Sequence, residues 1–241
     1  MTAPATPAPA SGSRWEDFIE IFVAPGRVFA RRERSSFVVP LLLLVVVLTA
    51  LFYLTMPLLQ SVFDGEFARG AARAMTSNPK LTPEMMAQGK AMQEKVSGVI
   101  VLIIIPIAVT LVAGSMWLLG RLVGSAQRFG AAMVVATFAF YPRIVESIVA
   151  ALQGAVLPDS QLTSRASLSV GAARFLDPDT TSPIVMALGL RADLFTLWVT
   201  VLIGVGLRVT GKLSTANAAL VAVLVYLLGG LLPLLFALRA G

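Results

Sequence analysis

The sequence predicts an all-α, polytopic membrane protein in which five transmembrane helices follow a short amphipathic helix at the membrane surface. Apolar residues make up 57% of the 241 residues and charged residues only 13%, whereas soluble domains average about 45–50% and about 25%. Five apolar runs are long enough to cross about 30 Å of hydrocarbon as helices. They are approximately Phe37 to Val62, Val96 to Leu119, Phe129 to Leu157, Asp193 to Val209 and Ala216 to Leu238.

The segment before the first run divides into two parts. Residues 1–13 are rich in Pro, Ala, Thr and Ser, which predicts a disordered tail. Residues 14–36 predict an amphipathic helix lying at the membrane surface and then a basic collar. The apolar face consists of Trp15, Phe18, Ile19 and Phe22, the polar side of Glu16, Asp17 and Glu20, and the collar of Arg27, Arg31, Arg32 and Arg34. We interpret the collar as a topology signal in preference to a partner or lipid site, because basic residues commonly flank a first span.

Residues 37–241 are expected to form one five-helix transmembrane domain. The first long loop predicts a short helix from Asp64 to Met75, and Thr82-Pro83 marks the start of the helix that becomes the second span. Ser182-Pro183 likewise places the start of the fourth helix well before Asp193. Basic residues lie beside the span ends in the N-terminal segment and in the short loops after spans two and four. We therefore expect the N-terminus in the cytoplasm and the C-terminus outside.

The third run carries formal charges well inside it, at Arg143 and Glu146. Residues three apart share a helix face, and charged side chains in hydrocarbon are costly unless they face other helices. Asp193 begins the next span from the same side, so an intramembrane polar site of Arg143, Glu146 and Asp193 is geometrically feasible. A gate, a proton-linked site or a lipid-headgroup site would be the functional interpretation. We favour the structural one, an ion pair that holds the third span to the fourth.

Several function classes are excluded by what the chain lacks. It contains neither Cys nor His, which removes thiol nucleophiles, imidazole bases and the usual zinc ligands. A nucleophile elbow and a nucleotide-binding glycine loop are also missing, so we expect no enzymatic activity, no catalytic residue, no metal and no cofactor. The net charge is +6, but the basic residues flank apolar runs, so anionic lipid headgroups are a simpler partner than nucleic acid.

Three stretches are similar to one known family. The first is the opening Trp15-Glu16-Asp17-Phe18 through Pro25-Gly26-Arg27-Val28-Phe29, just before the first span. The second is Asp193-Leu194-Phe195-Thr196-Leu197-Trp198, followed by Gly204-Val205-Gly206-Leu207 and Lys212-Leu213-Ser214. The third is the aromatic stretch from Phe138 to Pro142. Together they resemble the bacterial Yip1-domain integral membrane proteins, and the matching motif residues are Pro25, Phe29, Pro142, Asp193, Phe195, Trp198 and Gly206.

The resemblance implies five spans in the bacterial inner membrane, a cytoplasmic N-terminus, an external C-terminus and no catalytic activity. The first functional hypothesis is an organising or accessory membrane protein that meets lipids and either a membrane-protein partner or a second copy of itself. Its contact residues would be Trp15, Phe18, Phe22, Phe29, Arg31, Arg32 and Arg34. The alternative hypothesis is a small transporter or channel whose polar site is Arg143, Glu146 and Asp193.

Overall fold

The computed structural model describes residues 15–240, and the tail predicted for residues 1–13 lies outside the described residues. Between residues 15 and 240 the structure is helical without strands, and two extended residues, Gly171 and Asp193, form an isolated β-bridge. The α-helices are α1 (Glu16–Val23), α2 (Pro25–Arg32), α3 (Val38–Thr55), α4 (Gln60–Ser77), α5 (Pro83–Leu122), α6 (Phe129–Ala139), α7 (Pro142–Val156), α8 (Arg165–Leu168), α9 (Pro183–Arg191), α10 (Leu194–Thr210) and α11 (Thr215–Ala240). Short 3₁₀ helices lie at Met56–Leu59, Asp159–Gln161 and Ala172–Phe175.

Four helical segments are long and apolar enough to cross a membrane: Val38–Ser77, Pro83–Leu122, Phe129–Val156 and Thr215–Arg239. The all-helical, membrane-spanning class predicted from the sequence is therefore confirmed. The predicted fourth crossing takes a different form, because α10 is apolar but has only 17 residues, a length of about 26 Å. A fifth crossing, made by α10 together with α9, stays a prediction.

The break between α9 and α10 has a local cause. Ala192 ends α9 with a non-helical backbone, and Asp193 is extended. The Asp193 carboxylate accepts a hydrogen bond from the N–H of Phe195 at 2.9 Å, which is the geometry of a helix N-cap. Ser182 does cap the start of a helix at Pro183, as predicted, but this helix is separate from the apolar one that follows.

The third apolar run is also divided in two. The N–H groups of Phe140 and Tyr141 bond three residues back, at 3.2 Å each, and α6 ends there. Pro142 stands at the first position of α7, where its missing N–H costs nothing. The Tyr141 hydroxyl donates to the carbonyl of Pro40 at 2.9 Å. The division between α6 and α7 is thereby tied to the beginning of α3.

The centre of the bundle is α6. All residues from Ala131 to Ala139 are buried, and α6 packs between α5 and α10. Leu111 and Leu118 on α5, and Leu232 on α11, are exposed on the outside. In a bundle with membrane-spanning helices, such outward apolar side chains match a lipid surrounding.

The basic segments that flank the spans lie at one end of the bundle. Glu33, just after α2, is 3.7 Å from Lys212 in the loop between α10 and α11. The N–H of Ala126, in the loop between α5 and α6, donates to the carbonyl of Gly211 at 3.1 Å. The segments that the sequence assigns to the cytoplasm therefore meet in space. The side of the membrane that this end faces stays a prediction.

The opposite end carries the predicted loop helix, which extends from Gln60 to Ser77 as α4. Thr82 caps α5 by accepting from the N–H of Met85 at 3.3 Å, and Pro83 is the first helical residue. The second long loop is fastened to α4, because the side chain of Arg69 donates to the carbonyl of Thr163 at 2.5 Å. Both predicted helix starts, at Thr82 and at Ser182, are confirmed.

Candidate functional site

The helices α1 and α2 form a hairpin, called here the N-terminal hairpin, that is held by buried charges. The Asp17 side chain is 1% exposed and accepts hydrogen bonds from Arg31, one of them at 3.0 Å from Nε, and from Arg32. Glu20 binds Arg31 at 2.5 Å and Arg27 at 3.0 Å. The hydrogen bond from Arg31 to Asp17 raises the pKa of Arg31 above its ordinary value, and the hydrogen bond to Glu20 adds a smaller contribution in the same direction.

This arrangement differs from the amphipathic helix that the sequence predicts. The helix exists, but its polar side does not face water at Asp17, and its apolar face is divided between a buried part and an exposed part. Phe18 and Phe22 pack inward, whereas Trp15 and Ile19 are exposed. The reason is that α2 folds back on α1, and Arg31 and Arg32 bring compensating charge to a carboxylate that a lone helix would leave in solvent.

The N-terminal hairpin is packed against the bundle. The ring of Phe18 lies 5.3 Å from that of Tyr141 at the start of α7, and the ring of Phe22 lies 5.5 Å from that of Trp198 on α10. Phe29 is fully buried. Gly26 lies against Val205 and Val209 of α10, and a Cβ at this position would be 3.8 Å from each side chain. Most of the predicted contact residues are therefore used within the chain.

The residues left on the outer surface of the hairpin form a short apolar stripe. Trp15, Ile19 and Val23 are spaced by four residues on α1, and Ile19 and Val23 are 74% and 77% exposed. Residues four apart lie on one helix face. Arg34 is exposed as well. Of the contact residues predicted from the sequence, Trp15 and Arg34 keep an open surface, and Ile19 and Val23 join them.

The predicted intramembrane site is assembled in part. Arg143 pairs with Glu146 at 2.6 Å and donates to the Thr196 hydroxyl at 3.0 Å. Thr196 lies in the first turn of α10, so Arg143 does join α7 to the helix of the predicted fourth crossing. The Arg143 and Glu146 side chains are 30% and 36% exposed. The pair therefore lies at the edge of the core.

Asp193 binds other partners. Its carboxylate accepts hydrogen bonds at 2.9 Å from the Ser169 hydroxyl, the Val170 N–H and the Phe195 N–H. Within residues 15–240, no ion pair joins it to Arg143. The three bonds fasten the second long loop to the start of α10. Asp193 is thus a buried anchor for the loop and a helix cap.

Arg191, which the structure places at the break between α9 and α10, was not predicted as a site residue. Its guanidinium donates to the carbonyl of Tyr226 and lies 4.4 Å above the centre of the Tyr226 ring. The Tyr226 hydroxyl donates back to the carbonyl of Arg191 at 3.2 Å. The guanidinium also lies beside Gly229 and Gly230 of α11, which have no side chains to obstruct it. The sequence feature that could have indicated Arg191 is its position, two residues before the apolar run that begins at Asp193.

Three of the motif residues that carry the family resemblance, Pro25, Phe29 and Trp198, lie in the N-terminal hairpin or contact it. Pro25 begins α2, and Phe29 is buried in the core. Trp198 contacts Phe22 and stacks on Phe195 at 6.5 Å. Gly206 lies against Val135 of α6, where a Cβ would be 2.2 Å from a Val135 methyl carbon. These residues fix how the hairpin, α6 and α10 pack.

Two further observations concern metal binding and the cavities of the described chain. Among the described residues, 15–240, no group of three or more acidic residues could hold a metal ion. Three cavities along the helices are lined by residues other than Arg143, Glu146 and Asp193.

Comparison with known proteins gives one positive result. The sequence profile of the Yip1 domain matches residues 19–237, which is nearly the whole described chain. No curated protein and no solved structure gives a significant match. Because the match includes the N-terminal hairpin from Ile19 onward and all the membrane-spanning helices, the chain belongs to the Yip1 domain family of membrane proteins.

Proposed function

We propose that this protein is a non-enzymatic, multi-pass accessory protein that organises other components of its membrane, and that it meets a membrane-protein partner through the N-terminal hairpin. The observation that carries the proposal is the exposed stripe of Trp15, Ile19 and Val23 on a helix whose other face is fixed to the bundle. Exposed apolar patches on otherwise well-packed elements mark interaction sites. Membership of a membrane-protein family not known for catalysis supports the non-enzymatic part.

The fixed position of the hairpin matters to this proposal. An interaction surface that is rigid before binding loses less conformational entropy on association. The ion pairs of Asp17 with Arg31 and Arg32, and the contact of Phe22 with Trp198, hold the stripe in place. The partner would therefore present an apolar surface close to the start of α3, where the chain enters the membrane.

We also place the protein in the inner membrane of a bacterial cell, with the N-terminus in the cytoplasm and the C-terminus outside. The orientation is supported because the N-terminal segment and the short loops after the second and fourth apolar runs meet at one end of the bundle. Basic residues near span ends favour the cytoplasmic side. Tagging each end of the full chain with a compartment-specific reporter tests this orientation.

The test of the partner contact is quantitative mass spectrometry of proteins that co-purify with the full chain from gently solubilised membranes. The variant Ile19→Ser with Val23→Ser removes the stripe, and Leu111→Ser with Leu118→Ser on α5 is the matched control, since these leucines are also exposed. A near-stoichiometric partner, or a second copy of the chain, should be lost with the hairpin variant and kept with the control. A partner retained by both variants contradicts the proposed surface.

A small transporter or channel has less support. Arg143 and Glu146 are paired with each other, and Asp193 is engaged by the second long loop, so the three residues do not form one polar site. This alternative requires flux that depends on Glu146. Reconstituted vesicles whose ion or solute flux is abolished by Glu146→Gln, and kept by the stripe variant, would favour it over the accessory role.

A further inference from the structure

A groove lies between the N-terminal hairpin and the first membrane-spanning helix, and its lining changes character along the chain. Ser35 and Ser36 line it first, and Val39, Pro40 and Leu43 of α3 follow. The lining thus passes from hydroxyl groups to hydrocarbon in the direction in which α3 enters the membrane. A ligand that fits such a surface has a polar end and an apolar end.

The remaining walls repeat this division. Phe18 of α1 and Phe138 of α6 add aromatic surface, and Trp15 lies at the side. Arg32 is the cationic residue of the lining, and Asp17, the acidic one, is already bonded to Arg31 and Arg32. The groove has a volume of about 460 Å³, within the usual range of about 300–1,000 Å³ for ligand pockets. It is large enough for a headgroup and the first part of an acyl chain.

The charge around the groove favours an anion. Residues 15–36 carry four basic and four acidic side chains, so their charges balance, and Lys212, 3.7 Å from Glu33, adds one more basic side chain at this end of the bundle. The basic ones are Arg27, Arg31, Arg32, Arg34 and Lys212, and the acidic ones are Glu16, Asp17, Glu20 and Glu33. Within the lining, Arg32 and Asp17 are paired with each other, so the positive charge offered to an anion comes from the exposed Arg34, which stands directly before Ser35. Each basic residue near a membrane surface contributes about 1 kcal/mol of attraction for anionic lipid.

From this chemistry and position we propose that the groove binds one anionic phospholipid, with the phosphate near Ser35, Ser36 and Arg32 and an acyl chain along Leu43, Phe18 and Phe138. The polar end of the groove, at Ser35 and Ser36, comes directly before α3, where the chain passes from polar to apolar residues, as expected at the level of the lipid headgroups. This site shares Trp15 with the protein contact proposed above, but Ile19 and Val23, the residues changed to test that contact, do not line the groove.

Fluorescence of Trp15 provides the test. The chain has three tryptophans, so the Trp15 signal is the difference between the wild-type protein and Trp15→Phe. The full chain is placed in phosphatidylcholine nanodiscs that contain increasing amounts of brominated phosphatidylglycerol or, separately, brominated phosphatidylcholine. We expect brominated phosphatidylglycerol to quench Trp15 more strongly than brominated phosphatidylcholine. It should reach the same degree of quenching at a mole fraction at least about fivefold lower.

Two variants alter the groove without touching the ion pairs of Asp17. Ser35→Glu adds a negative charge at the polar end and should lower the preference for phosphatidylglycerol by about fivefold. Val39→Phe narrows the apolar part at an exposed position and should weaken quenching by the brominated anionic lipid. The matched control is Thr215→Glu, which adds the same charge to an exposed site at the same end, at the start of α11.

The outcomes that overturn the proposal are specific. Equal quenching by the two brominated lipids would show that Trp15 meets only bulk bilayer. A preference reduced as much by Thr215→Glu as by Ser35→Glu would show a general surface attraction instead of a site. Neither result would bear on the proposed protein partner, because that proposal is tested separately, by co-purification with the variants at Ile19 and Val23.

Discussion

Replacing Asp17 by Asn is expected to release the N-terminal hairpin from the bundle. The carboxylate of Asp17 is buried and receives hydrogen bonds from two arginines, Arg31 and Arg32. Removing one partner of a buried ion pair leaves the other charge uncompensated, at a cost of about 3–5 kcal/mol. Arg31 and Arg32 keep 26% and 19% of their side chains exposed, and Arg31 keeps its bond to Glu20. We therefore expect the low end of this range, about 3 kcal/mol, or roughly 150-fold in the equilibrium between docked and released hairpin.

The absence of Cys from the sequence makes this equilibrium measurable. Val28 of α2 is fully buried, so Val28→Cys introduces a single thiol that a maleimide reaches only when the hairpin opens. If closing is faster than labelling, the labelling rate reports the open population. Asp17→Asn in the Val28→Cys background should therefore label about two orders of magnitude faster than Val28→Cys alone, at constant reagent and pH.

Glu33→Gln is the matched control, because it makes the same charge change at the end of α2. The pair of Glu33 with Lys212 is 3.7 Å long and largely exposed, and such pairs contribute about 0–1 kcal/mol. The maleimide labelling rate of Val28→Cys should change by less than about fivefold when Glu33→Gln is added. If Asp17→Asn and Glu33→Gln labelled at the same rate, the buried ion pairs would not be what holds the hairpin. Rapid labelling of Val28→Cys itself would refute the docked position.

Two further substitutions test the packing of α10. Gly206→Ala puts a methyl group 2.2 Å from a methyl carbon of Val135 and should lower stability by about 1–3 kcal/mol, seen as a lower melting temperature in detergent. Gly204→Ala meets its nearest atom at 3.6 Å and should be neutral or slightly stabilising; equal melting temperatures would contradict the close contact. Asp193→Ala removes a helix cap and the bonds to Ser169 and Val170, at a cost of about 1 kcal/mol or more. Proteolysis within residues 157–182 should become several-fold faster, and an unchanged rate would show that Asp193 does not anchor this loop.

The local features of this protein could be predicted because they depend on neighbouring residues. A long apolar run must be helical in lipid, since its backbone polar groups can find partners only within the helix, and the four long apolar helices follow from that rule. The start of α5 at Thr82 and of α9 at Ser182 depends on a hydroxyl and a proline within three residues. The resemblance to the Yip1 domain rested on short local motifs, and the family match confirms it.

The candidate contact site could be predicted only in part. Periodicity correctly placed a helix near Trp15 but assumed that its apolar residues would face one surface. Which side is buried depends on Arg31 and Arg32, about fifteen positions later, and on aromatic side chains from α6, α7 and α10. An amphipathic pattern shows which residues share a face of one helix. It does not show whether a second helix, here α2, folds back and packs against that helix.

The charged residues in and beside the third and fourth apolar runs were also predictable only where their partners are close in sequence. The spacing of Arg143 and Glu146 was enough to predict their pairing, because residues three apart on a helix are neighbours. The partners of Asp193 and Arg191 were not predictable, because Ser169 and Tyr226 reach them from segments 24 and 35 residues away. The sequence by itself determined which segments are long apolar helices and where α5 and α9 begin. Only the tertiary structure decided which charges are buried together and which apolar face stays open, since a buried charge is stable only where distant segments supply its partners.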